Sequence, residues 1–196
     1  MRPSSKNDIL EAAVRVTARA GITALTLEAA AEEAGLTKAG LMYHFRTRDD
    51  LLRAIQRHLI EKWERQLLAE LGKPLDEATP RERAAAYARY GPHGTTSRAE
   101  LAFMVEAADD PELTRAWEEL AQRWVPRPTG PDPEALELFL ARLAADGLWL
   151  LAATVPEGLD PRVMEALIER ISALADPAHA VRGGDAADGQ ADHPAA

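Results

Sequence analysis

Residues 26–45, TLEAAAEEAGLTKAGLMYHF, decide the fold of this chain because they combine two helix starts with one tight break. Thr26 can cap a first helix, since a Thr side chain accepts a hydrogen bond from the free N–H groups of the first turn. Gly35 supplies the left-handed residue that commonly ends a helix. Thr37 can cap a second helix over residues 38–44. The stretch therefore predicts two short helices joined by a turn.

The two predicted helices divide their side chains between a small core and an outer face. The expected core is Ala31, Leu36, Leu41 and Phe45, and the outer face is Lys38, Ala39, Gly40, Tyr43 and His44. A helix–turn–helix needs this division, with Gly in the turn and a second helix whose N-terminal residues enter the major groove of DNA. The alternative is an ordinary corner between two helices without any partner, because Gly-containing helical turns are common.

Residues 34–52, AGLTKAGLMYHFRTRDDLL, resemble the helix–turn–helix signature of the TetR family of bacterial transcriptional regulators. That family typically shows an A-G-V-S-x-x-x-L-Y-x-H/Y-F core, followed by a short capping turn with Lys and an acidic residue. The match is specific because the capping residues, the turn glycine, the aromatic end and the next helix cap fall in register. The chain departs at Met42, where the family usually has a phosphate-contacting Tyr, and Tyr43 is expected to take over that contact.

The resemblance implies a set of DNA contacts around the second helix. Lys38 would donate to a guanine edge or a phosphate, and Ala39 would touch a thymine methyl. Gly40 would allow close backbone approach, while Thr26, Tyr43 and Arg48 would fix the register through phosphates. Arg48 would thereby take the role of the family's Lys. The expected DNA-binding residues are Thr26, Thr37, Lys38, Ala39, Gly40, Tyr43, His44 and Arg48.

The rest of the chain is predicted to be helical throughout. Four pairs place a capping residue before a Pro at the first helical position: Thr79-Pro80, Asp110-Pro111, Asp132-Pro133 and Asp160-Pro161. A first helix over residues 5–20, a long fourth helix from Thr47 to Gly72 and a helix at residues 97–108 complete the set. No segment alternates convincingly as a strand. The expected fold is all-α with about nine helices.

Three regions are expected along the chain. Residues 1–48 form a three-helix helix–turn–helix DNA-binding head, with the fourth helix, from about residue 47, connecting it to the rest. Residues 49–176 form a helical domain for effector binding and dimerisation. Residues 177–196 are rich in Ala, Gly and Asp without aromatics and are expected to be a disordered tail, as residues 90–96 are expected to be a loop.

The last two helices carry more apolar residues than one core buries, since one core buries one stripe per helix. We expect them to form a homodimer, which also fits the resemblance, because the family's last two helices usually form a four-helix interface. A thick single-domain core is the alternative. The interface candidates are Phe139, Leu143, Leu150, Leu151, Leu167, Ile171 and Leu174.

Several aromatic residues lie between the fourth and eighth helices, where the family commonly binds a small molecule. Pockets for small molecules are apolar with a few polar points. For any single one of these residues, ordinary core packing is the competing interpretation. The candidates for an effector pocket are Trp63, Tyr87, Phe103, Met104, Trp117 and Trp149.

Charge and amino-acid composition limit which other kinds of site and partner are possible. The net charge of −9 is concentrated in residues 61–196, whereas residues 1–60 hold nine Lys and Arg against seven Asp and Glu. Only the charge near phosphates needs to be positive. The absence of Cys excludes disulfides, thiolate metal sites and Cys nucleophiles. Neither a membrane-length apolar run nor a signal-peptide pattern is present, so a cytoplasmic protein is expected.

The sequence thus favours a ligand-responsive regulator, a repressor that binds an inverted-repeat operator as a homodimer and is released by an unknown small molecule. No phosphate loop, metal-binding His pattern or nucleophile elbow is present, so no enzyme, metal or cofactor is expected. One rival is a helical protein that senses a small molecule without sequence-specific DNA binding, which Glu28 and the modest charge of the head motivate. A helical enzyme is the other rival.

Overall fold

The structure, a computed structural model, describes residues 4–90, 97–155 and 157–176. Within these ranges the chain forms nine α-helices and two short 3₁₀ helices, and it forms no strand. The predicted all-α class is confirmed. The α-helices are α1 (Ser4–Ala20), α2 (Leu27–Glu33), α3 (Lys38–Met42), α4 (Arg48–Leu71), α5 (Pro80–Tyr90), α6 (Ser97–Glu106), α7 (Pro111–Trp124), α8 (Pro133–Thr154) and α9 (Pro161–Ala175).

The predicted capping residues begin the later helices. Thr47 caps α4 in a reciprocal arrangement, because its Oγ1 accepts from the Asp50 N–H at 3.0 Å while its own N–H donates to Asp50 Oδ2 at 3.1 Å. The side chains of Asp110, Asp132 and Asp160 accept backbone N–H bonds in the first turns of α7, α8 and α9. Local side-chain chemistry therefore sets most of the helix starts.

Helix ends differ from the predictions by up to two residues. The second helix of the helix–turn–helix was expected over residues 38–44, but α3 ends at Met42. The reason is a tightened last turn, in which the His44 N–H donates to the Leu41 carbonyl at 2.8 Å. Likewise α6 ends at Glu106 rather than 108. Of the loop expected over residues 90–96, Tyr90 is instead the last residue of α5, and residues 91–96 lie outside the described residues, as do residues 177–196 of the expected tail.

The chain separates into two compact units. The first comprises the described residues within Met1–Gln66, Gly94–Arg123 and Trp149–Gly158. Besides α1, α2 and α3, the first unit holds most of α4 and α7 and the whole of α6, and the expected domain boundary at residue 48 stays a prediction. In this unit, α1 packs against α2 and α6, and α2 packs against α3.

The second unit comprises the described residues within Leu67–His93, Trp124–Leu148 and Leu159–Ala196. Here α5 packs against α9. Arg81 of α5 links the neighbouring helices: it pairs with Glu134 at 2.8 Å and with Glu137 at 3.2 Å, and it donates to the Ala175 carbonyl at 3.2 Å. No helix in the described ranges has both the length and the apolar content that crossing a membrane requires.

Candidate functional site

The turn between α2 and α3 has the geometry that its sequence predicts. Thr26 Oγ1 accepts from the Ala29 N–H at 3.0 Å, and Thr37 Oγ1 accepts from the Gly40 N–H at 3.1 Å, so both helices are capped by Thr. Gly35 lies between them at φ +67°, a conformation that costs L residues with a side chain roughly 1–2 kcal/mol. The two Thr caps and the turn glycine therefore define where α2 begins, where the chain turns and where α3 begins.

The expected small core of the head is present. Leu41 is fully buried, Ala31 and Phe45 are buried, and Leu36 packs against them. Buried side chains of α1 belong to the same cluster, with Ile9 fully buried. Because Leu41 and Phe45 bury one side of α3, the opposite side of that helix faces solvent.

The solvent side of α3 and the residues directly before and after this helix carry most of the predicted DNA-binding residues. Lys38 and Ala39 are exposed, and Tyr43 is 73% exposed. Gly40 is half-buried, and a Cβ at this position would meet Thr37 Oγ1 at 3.3 Å. A side chain there would press on the atom that caps α3, so the glycine also protects the start of the helix. The Tyr43 and His44 rings make an edge contact with centroids 5.4 Å apart.

Lys38 has a partner on this surface: its ammonium forms an ion pair with the Glu28 carboxylate of α2. Both side chains are more than half exposed, at 54% and 59%. The hydrogen bond from Lys38 is the main reason why the pKa of Glu28 lies below its usual value, and a bond from the Glu28 backbone N–H contributes. The pair therefore bridges the first turns of α2 and α3.

The structure gives Arg48 three partners within the protein, and the phosphate contact expected of it stays a prediction. Its Nε donates to the Leu25 carbonyl at 3.0 Å, and a terminal nitrogen donates to the Ile22 carbonyl at 3.3 Å. The other terminal nitrogen pairs with Glu106 of α6 at 2.9 Å. These bonds use three of the five N–H groups of the guanidinium. Sequence reasoning missed this cluster.

The structure brings together three of the aromatic candidates for an effector pocket. The Trp63 ring makes edge contacts with Trp117 and with Trp149, each at a centroid distance of 6.2 Å. The Trp149 Nε1–H donates to the buried Glu100 carboxylate at 3.4 Å. The Trp117 Nε1–H donates to Gln56 Oε1 at 2.9 Å.

Of the three remaining pocket candidates, Phe103 is linked to this cluster through Gln56, whereas Tyr87 is not. Phe103 is fully buried and its carbonyl accepts from the Gln56 amide, while Met104 is half-buried. Tyr87 instead belongs to the second unit, where its hydroxyl donates to Asp146 at 2.7 Å. Burial raises the pKa of the Tyr87 hydroxyl and also that of the Asp146 carboxyl. Tyr87 is thus a hydrogen-bonded interior residue.

The described cavity in the first unit lies elsewhere than the aromatic candidates. It has a volume of about 340 Å³, and none of the six candidates lines it. Its wall combines apolar side chains with the buried Gln56, and it holds four carboxylates against one guanidinium. The lining residues are Asp49, Leu52, Arg53, Gln56, Glu106, Ala107, Asp109, Asp110, Pro111 and Leu113. The sequence gives no signal for it, because α4 and the α6–α7 turn meet only in the fold.

The dimer candidates are exposed to different degrees. On α8, Leu143 and Leu150 are half exposed, whereas Phe139 and Leu151 are partly covered. On α9, the exposed member is Leu174, and Leu167 and Ile171 are partly covered.

The exposed apolar residues of α8 follow one stripe. Leu136, Leu140, Leu143, Gly147 and Leu150 recur at alternating intervals of four and three residues. This spacing is the one that brings side chains into a seam between paired helices. Leu140 is the most exposed of the four leucines, at 58%. A group of acidic or His side chains able to hold a metal ion is absent from the described ranges.

Two family models match the chain. Residues 9–55 match bacterial regulatory proteins of the tetR family, and residues 81–176 match the tetracyclin repressor-like C-terminal domain. The HTH-type transcriptional regulator BetI of Brucella anthropi is 34% identical over 86 residues, which are 44% of this chain and 43% of that relative. The matched part therefore spans less than half of that relative's length.

Solved structures share the fold over nearly the whole chain. A transcriptional regulator from Rhodococcus sp. Rha1 is 23% identical with a TM-score of 0.64, over 87% of this chain and 95% of that one. A transcriptional regulator from Saccharomonospora viridis, crystallised in complex with choline, is 22% identical with a TM-score of 0.64, over 87% and 94% of the two chains.

Proposed function

The chain belongs to the TetR family of bacterial regulatory proteins, and we propose that it represses transcription in the cytoplasm by binding an inverted-repeat operator as a homodimer. The observation that carries this proposal is the division of α3 into two sides. Leu41, together with Phe45 just after the helix, anchors one side in the core, while Lys38, Ala39 and the following Tyr43 face solvent. A helix presented in this way fits the major groove, where its N-terminal residues meet base edges.

Selection from a pool of random duplexes tests DNA binding directly. We expect the wild-type chain to enrich an inverted repeat, and a Lys38→Ala, Tyr43→Ala double variant to bind that repeat about 100-fold more weakly, since one good base contact contributes about 1–3 kcal/mol. Both side chains are exposed, so the fold should not change. A matched control replaces Arg115 and Val105, which are exposed on other helices, with Ala.

Two results would count against this function. One is the absence of any enriched duplex for a folded wild-type chain, which would favour a sensor of small molecules without sequence-specific DNA binding. The other is an equal loss of binding in the double variant and in the matched control.

The stripe on α8 supports the homodimer. Gly147 lies within it, is exposed, and a Cβ added there would meet no atom within 4 Å. A glycine inside a helix costs about 1 kcal/mol relative to Ala, so the fold of one chain gains nothing from it. Between two copies of α8, however, the missing side chain would let the backbones approach closely. A two-fold dimer would carry two α3 helices, as binding to two half-sites about one helical turn of DNA apart requires.

We further propose that the effector is a small organic cation that binds the cavity beside Gln56. Its four carboxylates and single guanidinium give the wall an excess of negative charge. Its volume of about 340 Å³ lies within the range of small-molecule sites. Glu106 lines this cavity and also holds Arg48, so a bound cation would compete with Arg48 for the same carboxylate. The cavity is thereby linked to the head.

Choline and 3,3-dimethyl-1-butanol form a matched pair of probes for this site, because the second has the shape of the first without the charge. Trp117 is bonded to Gln56, so tryptophan fluorescence reports on the cavity. We expect a saturable change with choline, at least about tenfold weaker with the alcohol, and weaker choline binding in Glu106→Gln than in the exposed control Glu119→Gln. An equal response to both probes would exclude a charge-selective site.

A further inference from the structure

The ion pair between Glu28 and Lys38 places a carboxylate on the surface that would face DNA. Lys38 is the only basic residue of α3, and Arg46 is the only other one within residues 26–46. The same stretch holds three acidic residues, Glu28, Glu32 and Glu33. Its formal charge is therefore negative, and its single lysine is already bound to a carboxylate.

We propose that Glu28 is a specificity-determining residue that holds the Lys38 ammonium and makes its transfer to DNA depend on the bases opposite α3. This inference rests on the proposed DNA-binding function. A phosphate can attract Lys38 on any duplex, but it must displace Glu28 and then repel that carboxylate. A matching base pair avoids this cost: guanine offers acceptors to the ammonium, and the amino group of its cytosine partner can donate to the carboxylate.

This arrangement acts differently on the two kinds of binding. Non-specific affinity comes from phosphate contacts that release counterions, with about 0.9 units of salt slope for each neutralised phosphate. While Glu28 neutralises Lys38, that residue contributes little to the slope. Specific affinity keeps its base contacts, so the ratio of specific to non-specific binding rises. Glu33 does not interfere, because it is occupied by Arg15 and Arg19 at 2.9 Å each.

The test is a Glu28→Gln variant, which keeps the size and the helix propensity of the side chain. Binding is measured to a labelled random-sequence duplex and to the inverted repeat that the wild-type chain selects, between about 50 and 200 mM salt. We expect tighter binding to the random duplex, a salt slope steeper by about 0.9 per protomer, and a specificity ratio at least about fivefold lower.

Two further variants separate this role from a general charge effect. Glu32→Gln removes an exposed charge from the same helix but frees no lysine, so its salt slope should stay close to that of the wild type. In a Lys38→Met background, Glu28→Gln should leave the slope unchanged, because the freed ammonium is absent. A merely structural role for Glu28 would not produce this dependence on Lys38.

The outcomes are distinct. If the wild-type chain selects a repeat but Glu28→Gln changes neither slope nor ratio, or acts equally in the Lys38→Met background, the role of Glu28 is overturned and the proposed function stands. If the folded wild-type chain binds no duplex, both are overturned.

Discussion

Leu143→Glu is expected to convert the homodimer into monomers and to abolish operator binding. Leu143 lies in the middle of the exposed stripe on α8 and is half exposed in the single chain. Replacing it with Glu should hardly affect the fold of one chain, since both residues favour helices and exposed substitutions usually change stability by less than about 0.5 kcal/mol. The effect should therefore appear in association alone.

The size of this effect follows from symmetry. In a two-fold interface each substitution occurs twice, and the two α8 helices would bring the two carboxylates towards each other. Loss of two buried leucine contacts and burial of two unpaired charges together cost several kcal/mol. We expect the dissociation constant of the dimer to rise by about 1000-fold or more. A monomer contacts one half-site only, so binding to the inverted repeat should fall with it.

Sedimentation and binding to the selected repeat measure the two consequences. The matched control is Val105→Glu on α6, which places the same charge on a residue that is 66% exposed and lies outside the stripe. It should leave both the dimer and the binding intact. A Leu143→Glu chain that stays dimeric at micromolar concentration would remove α8 as the interface.

Local chemistry explains why the helices of this chain could be predicted. A Thr or Asp that precedes a helix accepts hydrogen bonds from N–H groups within three residues. Its effect can therefore be predicted from the adjacent sequence. Gly72, at φ +72°, ends α4 for an equally local reason. Part of the interior of the head was predictable in the same way, because Leu41 and Phe45 lie four residues apart, which is a helical spacing.

The parts that sequence could not give depend on contacts between distant residues. Tyr87 was grouped with the tryptophans because all are aromatic, yet its partner is Asp146, 59 residues away, in the second unit. The cavity beside Gln56 is lined by residues of α4 and of the α6–α7 turn, and no local sequence pattern predicts that these two segments lie side by side. The pair of Glu28 and Lys38 depends on the angle between two helices. Composition identifies such residues as candidates, but only the fold assigns their partners.

For Arg48, the expectation from sequence and the contacts in the fold differ most. Arg48→Ala is expected to destabilise the head by about 3 kcal/mol. The variant removes the donors to the carbonyls of Leu25 and Ile22 and the partner of Glu106. A hydrogen bond to a charged group contributes about 1.5–3 kcal/mol, and the exposed ion pair adds little. Leu25 immediately precedes the cap of α2, so operator binding should weaken as well.

Arg48→Lys separates this structural role from the phosphate contact that the sequence predicted. Lysine keeps the charge but cannot reach three partners with one planar group, so a structural role predicts nearly the same loss of stability as with Ala. A phosphate role predicts normal stability in both variants, a preserved salt slope with Lys and a slope reduced by about 0.9 with Ala.

Arg46→Ala, at an exposed neighbour, should change the free energy of unfolding by less than about 0.5 kcal/mol. Chemical denaturation combined with salt titration distinguishes these cases. Normal stability of Arg48→Ala would exclude the structural role, and the link between the cavity and the head would then lose its central contact.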